Sequence, residues 1–411
     1  MAIGDVYRLR LETIAAGGDA LGRFEGKTVF AEGGAPDETV CCRIIEERKT
    51  WARGEILEII EPSPLRIKSI CPFYDSCGNT FGKCGGCNLS HIDYNSQLAL
   101  KVSILMDSFL RIGLLHDASQ LPQPEVFPSP PWEYRNRMQF HCFRQQAKGK
   151  DSLKYGLMGR RSREIIPVND CPVAVPGIRN ILNSSQGKEI CLPVEKDRFT
   201  VFSKDQTLLI EGSRRNKGRI KLLDKEIFVD AGLFFQSNCF MLEKLVLELR
   251  ETAENAQHNL PMADLYCGAG TFALFLGQIF PKVILAEENK SAISLARENL
   301  SGINAEFIAL RDNEWQQCLL RKKEAFGFAV VDPPRAGLSP KLALALAQNG
   351  PPVLAYVSCA PPALARDSKI LADGGYKLQQ LKLFDFYPQT AHIETLAVFI
   401  KERHGASCHK P

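Results

Sequence analysis

Residues 262–280 read MADLYCGAGTFALFLGQIF: a short apolar run, a glycine-rich turn and an apolar helical stretch. The glycines let the backbone approach a ligand closely, and the first β–α turn of a doubly wound fold is where a nucleoside lies. The turn lacks the full GxGxxG fingerprint, so a single nucleoside fits it better than a dinucleotide. Strand and helix alternate outward from it. KVILAEE (282–288), AFGFAVVDPP (325–334) and PPVLAYVSC (351–359) are strand-like, and SAISLARENL (291–300) and KLALALAQ (341–348) are helix-like. This grammar begins near residue 231 and predicts an α/β Rossmann-like domain over residues 231–411.

Open α/β sheets place their sites at the carboxyl ends of the strands. In the glycine turn itself, Gly268 is a candidate cofactor contact. KVILAEE ends in acids roughly 20 residues later, and Glu287, with Glu288 beside it, is placed to accept hydrogen bonds from a ribose. A third strand end carries Asp312, suited to an adenine amino group. Together these predict an adenosyl cofactor. Asp332 ends the fourth strand, and Pro333 and Pro334 stiffen the turn after it. Amino-group methyltransferases follow such a turn with an aromatic residue that stacks on the target base, but here Arg335 follows. Cys359 ends the next strand, at the mouth of the crevice and just before a proline-bearing turn. That position makes it the candidate nucleophile, whereas Cys267 and Cys142 read as buried packing. A base is expected from another loop: FDFYPQTAHIETLAVFI (384–400) offers His392 and Glu394, of which Glu394 is the choice for proton removal. His392 is either an orienting group or structural.

Upstream, residues 1–61 read as about five short strands with glycine turns, suited to a small OB-like β-barrel. VYRLRLETI, KTVFAE, TVCCRIIEE and ARGEILEII are its strands, and GGDALGRFEGK supplies turns. Pro62 and Pro64 mark a linker into a mixed α+β central region, 62–230. It contains a cysteine-rich stretch, CPFYDSCGNTFGKCGGC (71–87), and a helix near Tyr94–Ile112 with apolar Leu98, Val102, Leu105, Met106 and Phe109. Cys71, Cys77, Cys84 and Cys87, with Cys171 farther on, suit a thiolate site for zinc or an iron–sulfur cluster, and spacing alone does not choose. At 411 residues the chain calls for two or three domains. No apolar run reaches the roughly 18 residues of a membrane span, and the charged amino terminus is no signal peptide, so the cytoplasm is the expected compartment. Net charge is +4, too small to prove a nucleic-acid partner, although Arg43–Arg53 and Arg214–Lys221 are locally basic.

At this point the motifs resemble the RNA 5-methyluridine (uracil-C5) methyltransferases, in the branch that carries a TRAM barrel and a four-iron cluster and acts on 23S ribosomal RNA. FFQSN (234–238) is similar to the family's cofactor segment, DLYCGAGTF to its glycine loop and DPPRAG to its Asp-Pro-Pro-Arg-x-Gly turn. YVSCAPPALARD resembles the nucleophile segment, HIETLAVF the catalytic-glutamate segment, and YRNRMQFH (134–141) the opening of the central domain. The resemblance implies S-adenosyl-L-methionine held by Gln236, Tyr266, Glu287, Asp312 and Asp332, with Cys359 as nucleophile and Glu394 as base. It further implies a [4Fe–4S] cluster on three cysteines of the 71–87 stretch and Cys171. An insertion leaves Cys71 and Cys77 as rivals, and Pro72 favours Cys71. Two departures stand out: Arg311 precedes Asp312 where the family has glycine, and Ala360 follows Cys359 where it has asparagine. Alternative readings are a transfer-RNA uridine methyltransferase, a cytosine-5 methyltransferase and a non-catalytic RNA-binding protein. RNA is the expected partner, and a monomer is the default.

Overall fold

The computed structural model describes residues 1–74, 84–112, 121–147, 150–184, 197–315 and 325–402. Five strands, β1 (Val6–Ile14), β2 (Ala20–Phe24), β3 (Lys27–Ala31), β4 (Thr39–Glu47) and β5 (Trp51–Glu61), close into a barrel in the order β1-β2-β3-β5-β4. Alternate residues such as Leu9, Leu11, Val40 and Ile44 fill its interior. β2 lies inside the stretch read from sequence as turns. Its Gly22 is there for packing: a Cβ at that position would come within 2.8 Å of the Arg10 carbonyl oxygen on the neighbouring strand.

The next elements are α1 (Tyr94–Ile112), β6 (Glu125–Phe127), β7 (Arg137–Ala147), β8 (Lys150–Met158), β9 (Ile165–Ile166) and α2 (Pro176–Ser184), followed by β10 (Arg198–Lys204) and β11 (Thr207–Ile210). Five of these strands form a sheet ordered β11-β10-β7-β8-β9, and a separate hairpin follows, β12 (Lys217–Leu222) and β13 (Lys225–Asp230).

The remaining strands are β14 (Met262–Leu265), β15 (Val283–Ala286), β16 (Ala305–Ile308), β17 (Phe328–Val331), β18 (Val353–Ser358), β19 (Tyr376–Phe384) and β20 (Glu394–Lys401). With β6 they build an eight-stranded sheet ordered β16-β15-β14-β17-β18-β20-β19-β6. β14 to β18 run parallel, and their buried runs MADL, VILA and FAVV suit a sheet covered on both faces. Its helices are α3 (Cys239–Glu254), α4 (Thr271–Leu276), α5 (Lys290–Asn299), α6 (Pro340–Asn349) and α7 (Pro361–Asp373). β20 inserts antiparallel beside β18, so the chain returns to the strand that carries the thiol.

Two elements that precede residue 231 belong to this layer: β6 pairs parallel with β19, and α1 packs on α7. The buried face of α1 is Gln97, Lys101, Ile104, Leu105, Ser108 and Phe109, whereas Leu98, Val102 and Met106 are only half-buried. Apolar periodicity misplaces this face because three of its buried residues, Gln97, Lys101 and Ser108, are polar and hydrogen-bonded. Gln97 donates to the Gln389 side chain at 3.1 Å and accepts from its backbone N–H at 2.9 Å. Lys101 donates to Asp385 at 2.5 Å and to the Tyr387 carbonyl at 3.0 Å, and neither charged side chain reaches water. No helix among the described residues is long and apolar enough to cross a membrane.

Removing one partner of a dry ion pair strands the other charge. Lys101→Met is expected to destabilise the protein by about 3–5 kcal/mol in chemical denaturation, and Lys101→Met with Asp385→Leu to recover part of that loss. Equal stability of single variant and wild type would mean that the pair carries no such constraint.

Candidate active site

The carboxyl ends of β14, β15, β17 and β18 open into a cavity of about 1150 Å³. One wall of it is the glycine turn. Tyr266, Gly268 and Gly270 adopt φ of +62°, +51° and +77°, a left-handed path that turns the chain sharply from β14 into α4. A Cβ at Gly270 would meet a Leu300 methyl at 2.5 Å. The Gly268 N–H donates to Glu287 at 3.3 Å, and the Asn289 N–H to the other oxygen of Glu287 at 2.8 Å. The Tyr266 hydroxyl donates to Asp312 at 3.0 Å, and its ring meets Trp315 edge-on at 4.6 Å between centroids. Glycine turn, acid and second acid are therefore tied into one surface. The arginine before Asp312 does not keep that carboxylate from the tyrosine.

Across the cavity, Gln236 presents a buried side-chain oxygen without a partner among the described residues. The backbone around it is fixed on both sides: Asn136 donates to its carbonyl at 3.4 Å, and Asn238 caps α3 by accepting from the Met241 N–H at 3.2 Å.

Register brings the reacting groups together. Ser358 of β18 pairs with Thr395 of β20, and one further step sets Cys359 opposite Glu394. Asp332 follows β17 directly, its N–H donating to the Leu265 carbonyl at 3.2 Å. All three side chains line the cavity. Burial pushes both Glu394 and Asp332 above the usual carboxylate range, and Asp332 pushes Glu394 up further. One oxygen of Glu394 is buried with no partner among the described residues. The Cys359 thiol is pushed up to about 11, first by burial and then by Glu394 and Asp332, while Arg335 acts in the opposite direction. The Arg335 guanidinium lies 3.1 Å from His392 Nδ1 and 3.4 Å from Nε2. His392 is held down to about 4 by burial, then by Arg335, Arg135 and Lys101, so at neutral pH its uncharged ring receives the guanidinium. This constellation can deliver a thiolate to an electrophilic carbon and accept a proton beside it, with a cation at the rim.

Ala360 is the N-cap of α7 and makes no side-chain cap bond. An asparagine there would find few free donors. Pro361 and Pro362 have no N–H, and the Ala363 and Leu364 N–H groups both reach the Ala360 carbonyl at 3.0 Å.

Cys71, Cys84, Cys87 and Cys171 line the far end of the same cavity. Burial raises all four thiols, Cys171 to about 12, and Cys87 is raised further by each of the other three. The Gly86 N–H donates to Cys84 Sγ at 3.4 Å. Among the described residues no three such side chains are close enough to enclose a single metal ion. Cys77 lies outside the described residues. Residues with no role from sequence reasoning also line the cavity: Arg135, Arg137, Phe234 and Tyr387. The alternation in YRNRMQFH could have flagged the arginines, whereas nothing local marks Tyr387.

Residues 215–403 match the family described as tRNA (Uracil-5-)-methyltransferase, and residues 2–57 match the TRAM domain. An uncharacterized RNA methyltransferase of Treponema denticola is 34% identical over 404 residues, covering 92% of this chain and 94% of that relative. A 23S rRNA (uracil(1939)-C(5))-methyltransferase of Psychromonas ingrahamii is 30% identical, with 95% of each chain covered. The crystal structure of a Pyrococcus abyssi tRNA (uracil-54, C5)-methyltransferase with S-adenosyl-L-homocysteine superposes with a TM-score of 0.71 at 22% identity, covering 96% of this chain and all of that one.

The thiol's raised position has a measurable consequence. Alkylation of Cys359 by iodoacetamide, followed on its own peptide by mass spectrometry, should be slow at neutral pH and climb towards pH 11. Arg335→Gln removes the lowering charge and should move that midpoint upward. A profile unchanged by the substitution would mean that Arg335 does not act on the thiol.

Proposed function

The chain belongs to the family of RNA uracil-5 methyltransferases, and from that premise we propose that it methylates carbon 5 of a uridine in 23S ribosomal RNA, with Cys359 as covalent nucleophile and Glu394 as base. The observation that carries the reading is the strand register that sets Cys359 opposite Glu394 at one cavity wall. The relative from Psychromonas ingrahamii, matched end to end, favours ribosomal over transfer RNA.

Carbon 5 of uracil is a poor nucleophile. The Cys359 sulfur adds to carbon 6, and the electrons move to an enolate whose carbon 5 would take the methyl of a sulfonium donor as the donor's methyl–sulfur bond breaks to leave a neutral thioether. Glu394 then takes the proton from carbon 5, the carbon 6–sulfur bond breaks and the thiolate is freed. For that, Glu394 must be ionised, although burial favours its neutral form. The residues around the cavity fit S-adenosyl-L-methionine: Glu287 for the ribose, Asp312 for the adenine, and Gln236, Tyr266, Gly268 and Asp332 around the remainder. When bound, this cofactor supplies the sulfonium methyl, a positive charge beside which ionised carboxyls are favoured. Arg335 stabilises the thiolate before attack.

Cys71, Cys84, Cys87 and Cys171 are the proposed ligands of a [4Fe–4S] cluster. Four thiols lining one end of the cavity, with Cys87 raised by each of the other three and a backbone N–H aimed at Cys84 Sγ, suit a cationic iron core.

Two experiments test these readings. RNA containing 5-fluorouridine at the target should give a stable protein–RNA adduct in denaturing gels, since fluorine cannot leave as a proton, and Cys359→Ala should give none. Glu394→Gln should slow turnover by roughly 100- to 10,000-fold while adduct with ordinary uridine accumulates. Adduct formed by Cys359→Ala would sink the nucleophile assignment. Anaerobically purified protein should carry about four irons and four sulfides per chain, lost in Cys171→Ser. A colourless protein with stoichiometric zinc would refute the cluster.

A further inference from the structure

Residues 135–141 largely alternate between two faces, with Met138 buried and also touching the cavity. Asn136, Met138 and Phe140 are buried, and the alternate residues Arg135, Arg137, Gln139 and His141 line the cavity that holds Cys359. The half-buried arginine at 137 is unusual in this molecule. The half-buried Arg53 pairs with Asp19 at 2.6 Å, and the more deeply buried Arg160 with Glu32 at 3.1 Å. Arg137 has no carboxylate within ion-pair distance among the described residues, and the Glu211 charge acts on it from farther away. Its Nη2 donates to the Leu233 carbonyl at 3.2 Å, its charge lies 5.9 Å from the Phe234 ring centroid, and its buried Nε has no partner among the described residues. Arg135 has Tyr387 and the thiols of Cys87 and Cys171 in its surroundings. A cation withdrawn from water without a counter-ion is costly, and a guanidinium fork that opens into a substrate cavity matches an anion with two oxygens.

We propose that Arg137, within this polar row, binds a backbone phosphodiester of the RNA substrate and thereby sets how deeply the target nucleotide enters the cavity. The row would carry the strand from the cysteine end of the cavity towards Cys359, with the Gln139 amide and the His141 ring as further contacts. This rests on the RNA-methylating reading, but binding can be measured without turnover.

The test uses full-length Cys359→Ala protein, which forms no adduct, and two roughly 12-nucleotide single-stranded RNA probes. One has ordinary phosphodiesters, and the other has neutral methylphosphonate linkages around the uridine. Arg137→Gln should weaken binding of the charged probe roughly ten-fold and leave the neutral probe nearly unaffected. Arg137→Lys, which keeps the charge without the fork, should fall between. Binding of S-adenosyl-L-homocysteine checks that each variant is folded. Equal losses on both probes, or no loss on either, would overturn the phosphate assignment. Methylation surviving in the Cys359→Ala protein would instead overturn the nucleophile assignment and leave the probe comparison standing.

Discussion

Lys101 and Asp385 meet where no water reaches either of them, and the geometry of the reaction site hangs on that pair. Asp385 begins the nine-residue connection from β19 to Glu394, and polar side chains from distant parts of the sequence hold that connection. Lys101 and Gln97 of α1 reach Asp385, Tyr387 and Gln389; Asn88 accepts from the Ala391 N–H; Asn238 donates to the Phe386 carbonyl; and the Tyr134 hydroxyl donates to that of Pro388. Each bond satisfies a backbone or side-chain group that would otherwise be buried and unpaired. The loop has almost no freedom left, so His392 and Glu394 arrive at fixed places.

The fixed geometry sets up an electrostatic conflict. Glu394, Asp332 and Cys359 are three acids that share one poorly hydrated space: Asp332 raises the cost of ionising Glu394, and both raise that of the Cys359 thiol. Arg335 is the cation that offsets this for both the thiol and Glu394. It is braced by the His392 ring and by a turn that is itself anchored. Asp367 accepts from the Leu338 N–H at 2.8 Å, and Arg366 donates to the Ala336 carbonyl at 2.9 Å. The resting site is therefore close to neutral, and bringing a positively charged cofactor into it favours the charged forms that the chemistry needs.

Much of this was legible in the sequence because strand ends in an α/β sheet are marked by short motifs. Tyr266, Glu287, Asp312, Asp332 and Cys359 all stand at such ends, and the cavity brings them together. The barrel's alternating strands were readable too, apart from β2, whose glycine serves close packing where a turn was expected. What was not legible depends on partners far away in sequence. The buried face of α1 includes a lysine and a glutamine, so apolar periodicity pointed slightly to one side of it. β6 is three residues long, too short for any alternation to register. The pairing of Cys359 with Glu394 follows from β20 inserting antiparallel, a choice of topology that no local pattern encodes. The missing asparagine at 360 looked chemical in the sequence. In the structure that position is the cap of a helix whose first two residues are prolines and whose next two N–H groups already bond the Ala360 carbonyl.

The dry Lys101–Asp385 contact and the half-open arginine at the cavity wall respond differently to ionic strength. Mobile ions screen charges that water can reach and hardly affect those it cannot. Added salt should therefore loosen whatever holds the nucleic acid long before it disturbs the loop that aims Glu394. The molecule separates two requirements of an RNA-modifying enzyme: a grip that the surrounding electrolyte can adjust, and a catalytic frame insulated from it.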